Sequence, residues 1–171
     1  MLIGYRGTGK TTVARLVAEQ LGRASADADA ELERRAGKSI KQIFADDGES
    51  AFRDLETEVL RDFVERTDDV LSLGGGVVMR EENRQLLNAA TVVWLTALPE
   101  TIQTRISADA KTSQQRPNLT ALGGLAEITT VLAQREPVYR DCADYIVATD
   151  NQMPAEVAAE VVCLLKGGTA P

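Results

Sequence analysis

A chain of 171 residues with 19 basic and 26 acidic side chains, net −7, is about the size of one ordinary domain and can bury a core without disulfides or a structural metal. The acidic balance argues against general nucleic-acid binding, which needs a basic surface, and the absence of histidine excludes Ser-His-Asp triads, Cys-His pairs and histidine-bound zinc. Cys142 and Cys163 lack ligand spacing, residues 1–4 do not read as a signal peptide, and the apolar stretch 92–98 is too short to span a bilayer, so the expectation is a cytoplasmic chain without a membrane partner.

Leu2–Ile3 reads as a weak first strand, and Gly4-Tyr5-Arg6-Gly7-Thr8-Gly9-Lys10-Thr11 after it fits G-x-x-x-x-G-K-[ST], opening a helix over 11–21. Glycines let such a loop curl so that successive N–H groups face phosphate oxygens, with the positive end of the helix dipole behind them. Gly7, Thr8, Gly9, Lys10, Thr11 and Thr12 are therefore the expected nucleotide-binding residues. Lys10 bridges the β- and γ-phosphates in this reading, and the Thr11 hydroxyl ligates Mg²⁺. Only three residues precede Gly4, a shorter lead than a central strand normally has.

Residues 24–26 form a second weak strand, followed by Asp27 and Asp29. Side chains two apart on a strand point the same way, so Asp27 could hold magnesium waters while Asp29 meets an acceptor hydroxyl. Capping is the competing reading, because Asp29 precedes a helical stretch starting at Ala30 and could be its N-cap. Phe52, Leu55, Val59, Leu60 and Phe63 mark the buried stripe of a further helix. The strand over 70–73 then leads into Gly74-Gly75-Gly76, where many nucleotide enzymes carry an acidic residue. Three glycines signal either a turn or a close backbone approach, to a ligand or to another chain segment; a ligand is the favoured reading. Strands over 91–95 and Tyr145–Ala148 complete five. Between them, 107–124 is polar, interrupted by Pro117, Gly123 and Gly124, and long enough to be a lid. The alternation of strands and helices defines the α/β class, with a parallel sheet covered on both faces. Neither an NKxD nor a DxxG motif occurs, so a GTPase is disfavoured.

Taken in order, Asp27-Ala28-Asp29 with Glu31 and Glu33, Ile43-Phe44, Gly48-Glu49, Phe52-Arg53 with Glu56, Gly74-Gly75-Gly76, Arg116-Pro117, and Arg135 with Pro137 and Tyr139 make a pattern that resembles the shikimate kinases from Gly4 to near Leu165. The resemblance implies a three-layer P-loop kinase fold with five parallel strands in order 2-3-1-4-5, as one domain over 1–171 with a lid at about 107–124. It also implies ATP and Mg²⁺, and transfer of the γ-phosphate to the 3-hydroxyl of shikimate, a step toward chorismate and the aromatic amino acids. By position, Asp29 contacts the shikimate hydroxyls, Arg53 and Arg135 hold its carboxylate, and Gly74, Gly75 and Gly76 line the pocket. Lys10, Asp29 and Arg116 are the implied catalytic residues, Thr11 and Asp27 the metal residues, and Arg105 and Gln152 contact the nucleotide.

The chemistry of these side chains agrees with the substrate. A carboxylated, polyhydroxylated ring calls for guanidinium forks and an acidic acceptor, and Glu56, three residues after Arg53, would orient that arginine on a helix. Departures from the pattern are Tyr5-Arg6 in the phosphate loop, which bring bulk and charge, and Asn118-Leu119 after Pro117. Two rival functions stay open at this level: a gluconate kinase of the same fold, and a nucleotide-binding module without transfer activity. A monomer is expected, because no long apolar surface pattern stands out.

Overall fold

The structure, a computed structural model, describes residues 1–65, 68–108 and 123–167. In chain order these form β1 (Leu2–Ile3), α1 (Lys10–Leu21), β2 (Ser25–Asp27), α2 (Ala28–Ala36), α3 (Ile40–Asp46), α4 (Gly48–Val64), β3 (Val70–Ser72), a 3₁₀ turn (Val77–Met79) and α5 (Glu81–Leu87). They continue as β4 (Val93–Thr96), α6 (Pro99–Ala108), α7 (Gly124–Cys142), β5 (Tyr145–Ala148) and α8 (Pro154–Leu165). Most of the expected lid segment, with Arg116, Pro117, Asn118 and Leu119, lies outside the described residues.

The five strands form one parallel sheet in order β2-β3-β1-β4-β5. Three expected strands shift by one or two residues: the second and fourth begin later, and the third ends at Ser72. Strand periodicity divides the apolar side chains between two cores. Leu2, Val93, Leu95 and Val147 face Val13 and Val17 of α1 and Val157 and Val161 of α8. Ile3, Leu71, Leu73 and Trp94 face Phe52, Val59, Leu60 and Phe63 of α4 and Leu87 of α5. Covering both faces explains why these strands read as continuous apolar runs.

Because all strands run the same way, the segments after β1, β2 and β3 emerge on one edge of the sheet. The phosphate loop, Asp27 and the glycine run meet there. Gly4 is forced by this crowding: with φ at 138° and a backbone oxygen of Leu95 where a Cβ would stand, only glycine fits.

Candidate active site

A cleft of about 560 Å³ opens at that edge. Of the residues expected from sequence, Gly7, Gly9, Lys10, Thr11, Thr12, Asp27, Asp29, Gly74, Gly75 and Arg105 line it. Thr8, Gly76, Arg53, Arg135 and Gln152 stand outside the lining, and Arg116 is beyond the described residues.

Within the phosphate loop, Gly7 and Gly9 have φ of 82° and 90°, which hold the curl that carries the chain into α1. Thr8 is buried and its hydroxyl donates to the Tyr5 carbonyl at 2.9 Å, so it stabilises the loop from within. Lys10 is buried as well, and its Nζ donates to the same carbonyl at 2.8 Å. The ammonium is thus held inside the curl of backbone.

Asp27 corrects the expectation for the acidic pair. Helix α2 starts at Ala28, so Asp27 and not Asp29 is the N-cap: its Oδ1 accepts from the backbone N–H of Asp29 at 3.0 Å and of Ala30 at 3.1 Å. Asp29 sits in the first helical turn, so the two carboxylates are not related by strand alternation, although both face the cleft. The other oxygen of Asp27, Oδ2, accepts from the Thr11 hydroxyl at 2.7 Å. Ser72, at the end of β3, brings its Oγ within 3.4 Å of the same hydroxyl. A carboxylate and two hydroxyls form a hard-oxygen donor set of the kind that suits Mg²⁺ and its waters.

Protein groups approach the glycine run closely. A Cβ on Gly76 would overlap the Arg53 guanidinium, and one on Gly75 would stand 3.0 Å from the Gly4 carbonyl oxygen. Arg53 comes from α4, where its Nη1 donates to buried Glu56 at 2.7 Å and its Nη2 to Glu49 at 3.2 Å. Burial pulls the Arg53 pKa down, but the two glutamates outweigh it and the net shift is upward, so the cation is secure. Arg135 comes from α7 and donates to the Gly75 carbonyl at 3.1 Å; Tyr139, one turn on, donates to the same oxygen. Tyr139 is fully buried and stacked on Trp94 at 5.6 Å between ring centroids, which fixes α7 against the sheet.

On the other side of the loop, Arg105 donates to the Thr149 hydroxyl at 2.8 Å and carbonyl at 2.6 Å, and to the Gly7 carbonyl at 3.4 Å. It ties α6 to the loop after β5. Gln152 in that loop donates to Ala148 at 3.0 Å.

Sequence reasoning missed the site roles of Ser72, Glu33 and the partner of Arg6. Glu33 lines the cleft and accepts from the Ile40 N–H at 2.9 Å, joining α2 to α3. Arg6 also lines the cleft and pairs with Glu127 at 2.8 Å. Ser72 could have been found from its place at a strand end beside the glycines. Glu127 carried no signal.

A phosphate loop opening into the same cleft as an acidic helix start and a glycine turn flanked by arginines is the layout of a P-loop phosphotransferase that acts on a small molecule. Comparison with known proteins narrows this class. A family model described as shikimate kinase matches residues 6–166. The shikimate kinase of Rhodopirellula baltica is 41% identical over 162 residues, covering 94% of this chain and 87% of the relative. That of Parasynechococcus marenigrum is 43% identical over 164 residues, with 96% and 84% covered. The solved shikimate kinase from Acinetobacter baumannii in complex with shikimate superposes with a TM-score of 0.90 at 35% identity, covering 97% of this chain and 91% of that one. A gluconokinase from Sinorhizobium meliloti 1021 reaches a TM-score of 0.54 at 16% identity and shares the fold alone. The chain belongs to the shikimate kinase family, whose members are ATP-dependent kinases.

Proposed function

We propose that this chain transfers the γ-phosphoryl group of ATP to the 3-hydroxyl of shikimate, giving shikimate 3-phosphate and ADP. The observation that carries this reading is the arrival of Arg53 and Arg135, from two different helices, at adjacent glycines continuing the wall of the phosphate-loop cleft. Two planar cations close together suit a carboxylate on the acceptor, since each can offer a fork of N–H donors.

Phosphoryl transfer asks for alignment and charge neutralisation more than for covalent chemistry by the protein. The 3-hydroxyl oxygen forms a bond to the γ-phosphorus while the bond from that phosphorus to the β–γ bridging oxygen breaks. The hydroxyl proton passes to the Asp29 carboxylate, and the bridging oxygen leaves on ADP. Lys10 and the loop N–H groups hold the β- and γ-phosphates, and Asp29 orients the attacking hydroxyl. Gly74, Gly75 and Gly76 bound the acceptor pocket, Arg105 and Gln152 contact the nucleotide, and Arg116 stabilises charge on the transferred group. Thr11 and Asp27 are the residues that would hold Mg²⁺, which neutralises phosphate charge when bound. The chain works as one domain, as a cytoplasmic monomer.

The test is ADP release by the purified chain with ATP and Mg²⁺, with shikimate or gluconate as acceptor and phosphorus NMR of the product. Shikimate should accelerate ADP formation and yield the 3-phosphate, and gluconate should do neither. ADP release that is indifferent to shikimate would overturn the reading.

A further inference from the structure

Arg6 stands inside the phosphate loop and lines the cleft, yet its guanidinium turns to α7, where Nη2 donates to Glu127 Oε1 at 2.8 Å. The side chains are 17% and 1% exposed, so this is a largely buried ion pair. It adjoins an apolar cluster in which Tyr5 packs with Ile102 of α6 and Ile128, Val131 and Leu132 of α7. Desolvation of two charges opposes their attraction in such a setting, and replacing a buried ion pair by an apolar pair of similar volume is often neutral or stabilising. Stability alone is therefore a weak account of charges at these two positions.

Their placement gives a better one. Helix α7 touches the site at two points: Glu127 in its first turn meets the phosphate loop, and Arg135 with Tyr139 meets the Gly75 carbonyl on the acceptor side. Eight residues separate Glu127 from Arg135, about 12 Å along a helix at the standard rise. One helix pinned at both points sets the spacing between the loop that holds the donor phosphate and the turn beside the acceptor. We propose that Arg6 and Glu127 form a positioning pair that fixes this spacing, so that donor and acceptor meet in line. The inference rests on the phosphorylation of shikimate proposed above. An ion pair suits the task better than apolar contact because a hydrogen bond is directional, whereas apolar surfaces can slide.

The test compares the parent with R6M, E127L, the double variant R6M/E127L, and E127Q, which keeps a hydrogen-bond acceptor of the same shape. Thermal unfolding is measured for each, with kcat and with KM for shikimate and for ATP. The double variant should unfold no lower than the parent while its kcat falls about tenfold or more and both KM values stay within about threefold, the signature of misalignment. R6M and E127L should each lose as much as the double, and E127Q should keep kcat within about threefold. A double variant with parental kcat would make the pair merely structural, and one that unfolds far below the parent would show that it holds the fold; either overturns the proposal. Loss in R6M with none in E127L would also overturn it, because Arg6 would then act on a substrate directly. A parent that does not phosphorylate shikimate would sink the functional reading instead.

Discussion

The Arg53 guanidinium covers Gly76 so closely that a single methyl group on that glycine would overlap it. Gly76 itself has φ of −99° and ψ of −5°, a backbone that alanine adopts without strain. In Gly76→Ala the part that yields is the Arg53 guanidinium, and because it is tied to buried Glu56 the unfolding free energy should fall by about 1–3 kcal/mol. The displaced guanidinium should raise KM for shikimate about tenfold and leave KM for ATP alone. A large drop in melting temperature with an unchanged shikimate KM would count against this account of the turn.

A bidentate arginine–carboxylate contact depends on the planar fork, which lysine lacks although it keeps the charge. Arg53→Lys should therefore weaken acceptor binding severely while ATP affinity stays almost constant. A shikimate analogue with a neutral amide in place of the carboxylate supplies the matching change on the ligand. Arg53→Ala should cost that analogue much less than it costs shikimate, because each change removes the same interaction. Equal losses for acid and amide would mean that Arg53 supports α4 and does not read the carboxylate.

Asp27 has two jobs that can be separated. Its Oδ1 caps α2, and asparagine caps as well as aspartate does, so Asp27→Asn should leave stability within a few tenths of a kcal/mol. Asp27→Ala should cost about 1 kcal/mol through the lost cap. Both variants lose the carboxylate beside Thr11 and should need much more Mg²⁺ for half-maximal activity. Magnesium titrations at fixed ATP, set beside urea unfolding, distinguish the two effects.

Glu31 lies between Arg34 and Arg35, whose hydrogen bonds bring its pKa down from 4.5 to about 2. Arg35 also reaches Asp62, which links α2 to α4. A carboxylate with a depressed folded-state pKa stabilises the fold above its unfolded value, and that contribution is lost as pH falls from about 4.5 to about 2. Because Arg34 is well exposed, solvent screening limits the gain to about 0.5–1 kcal/mol. Urea unfolding of the parent and of Glu31→Gln should differ by that amount at pH 7 and converge near pH 2. A gap that persists at the lower pH would place the effect in packing.

What the sequence made legible was local. The phosphate loop and the strands announced themselves through short-range pattern, and Arg53 with Glu56 followed from helical spacing. Asp27 and Asp29 were found as a pair but assigned to the wrong geometry, because β2 ends where α2 begins and propensity does not fix such a boundary to one residue. The glycine run was recognised as a place of close approach, yet the approaching groups, Gly4 and Arg53, come from distant parts of the chain. Arg6 and Glu127 are separated by 121 positions, and no periodicity connects them. A glutamate on a helix reads as solvated until tertiary structure buries it.

The central strand has a consequence for synthesis. Strand β1 pairs through Leu2 with Ser72 on one side and with Val93 on the other, so both neighbours are made long after it. At the usual rate of translation the gap to Val93 is roughly 5–20 s. Until Ser72 is made, Leu2 and Ile3, which end almost wholly buried, have no sheet to join. The first of these five strands to be made is thus the one around which the sheet closes, and much of the domain must be made before its middle can form.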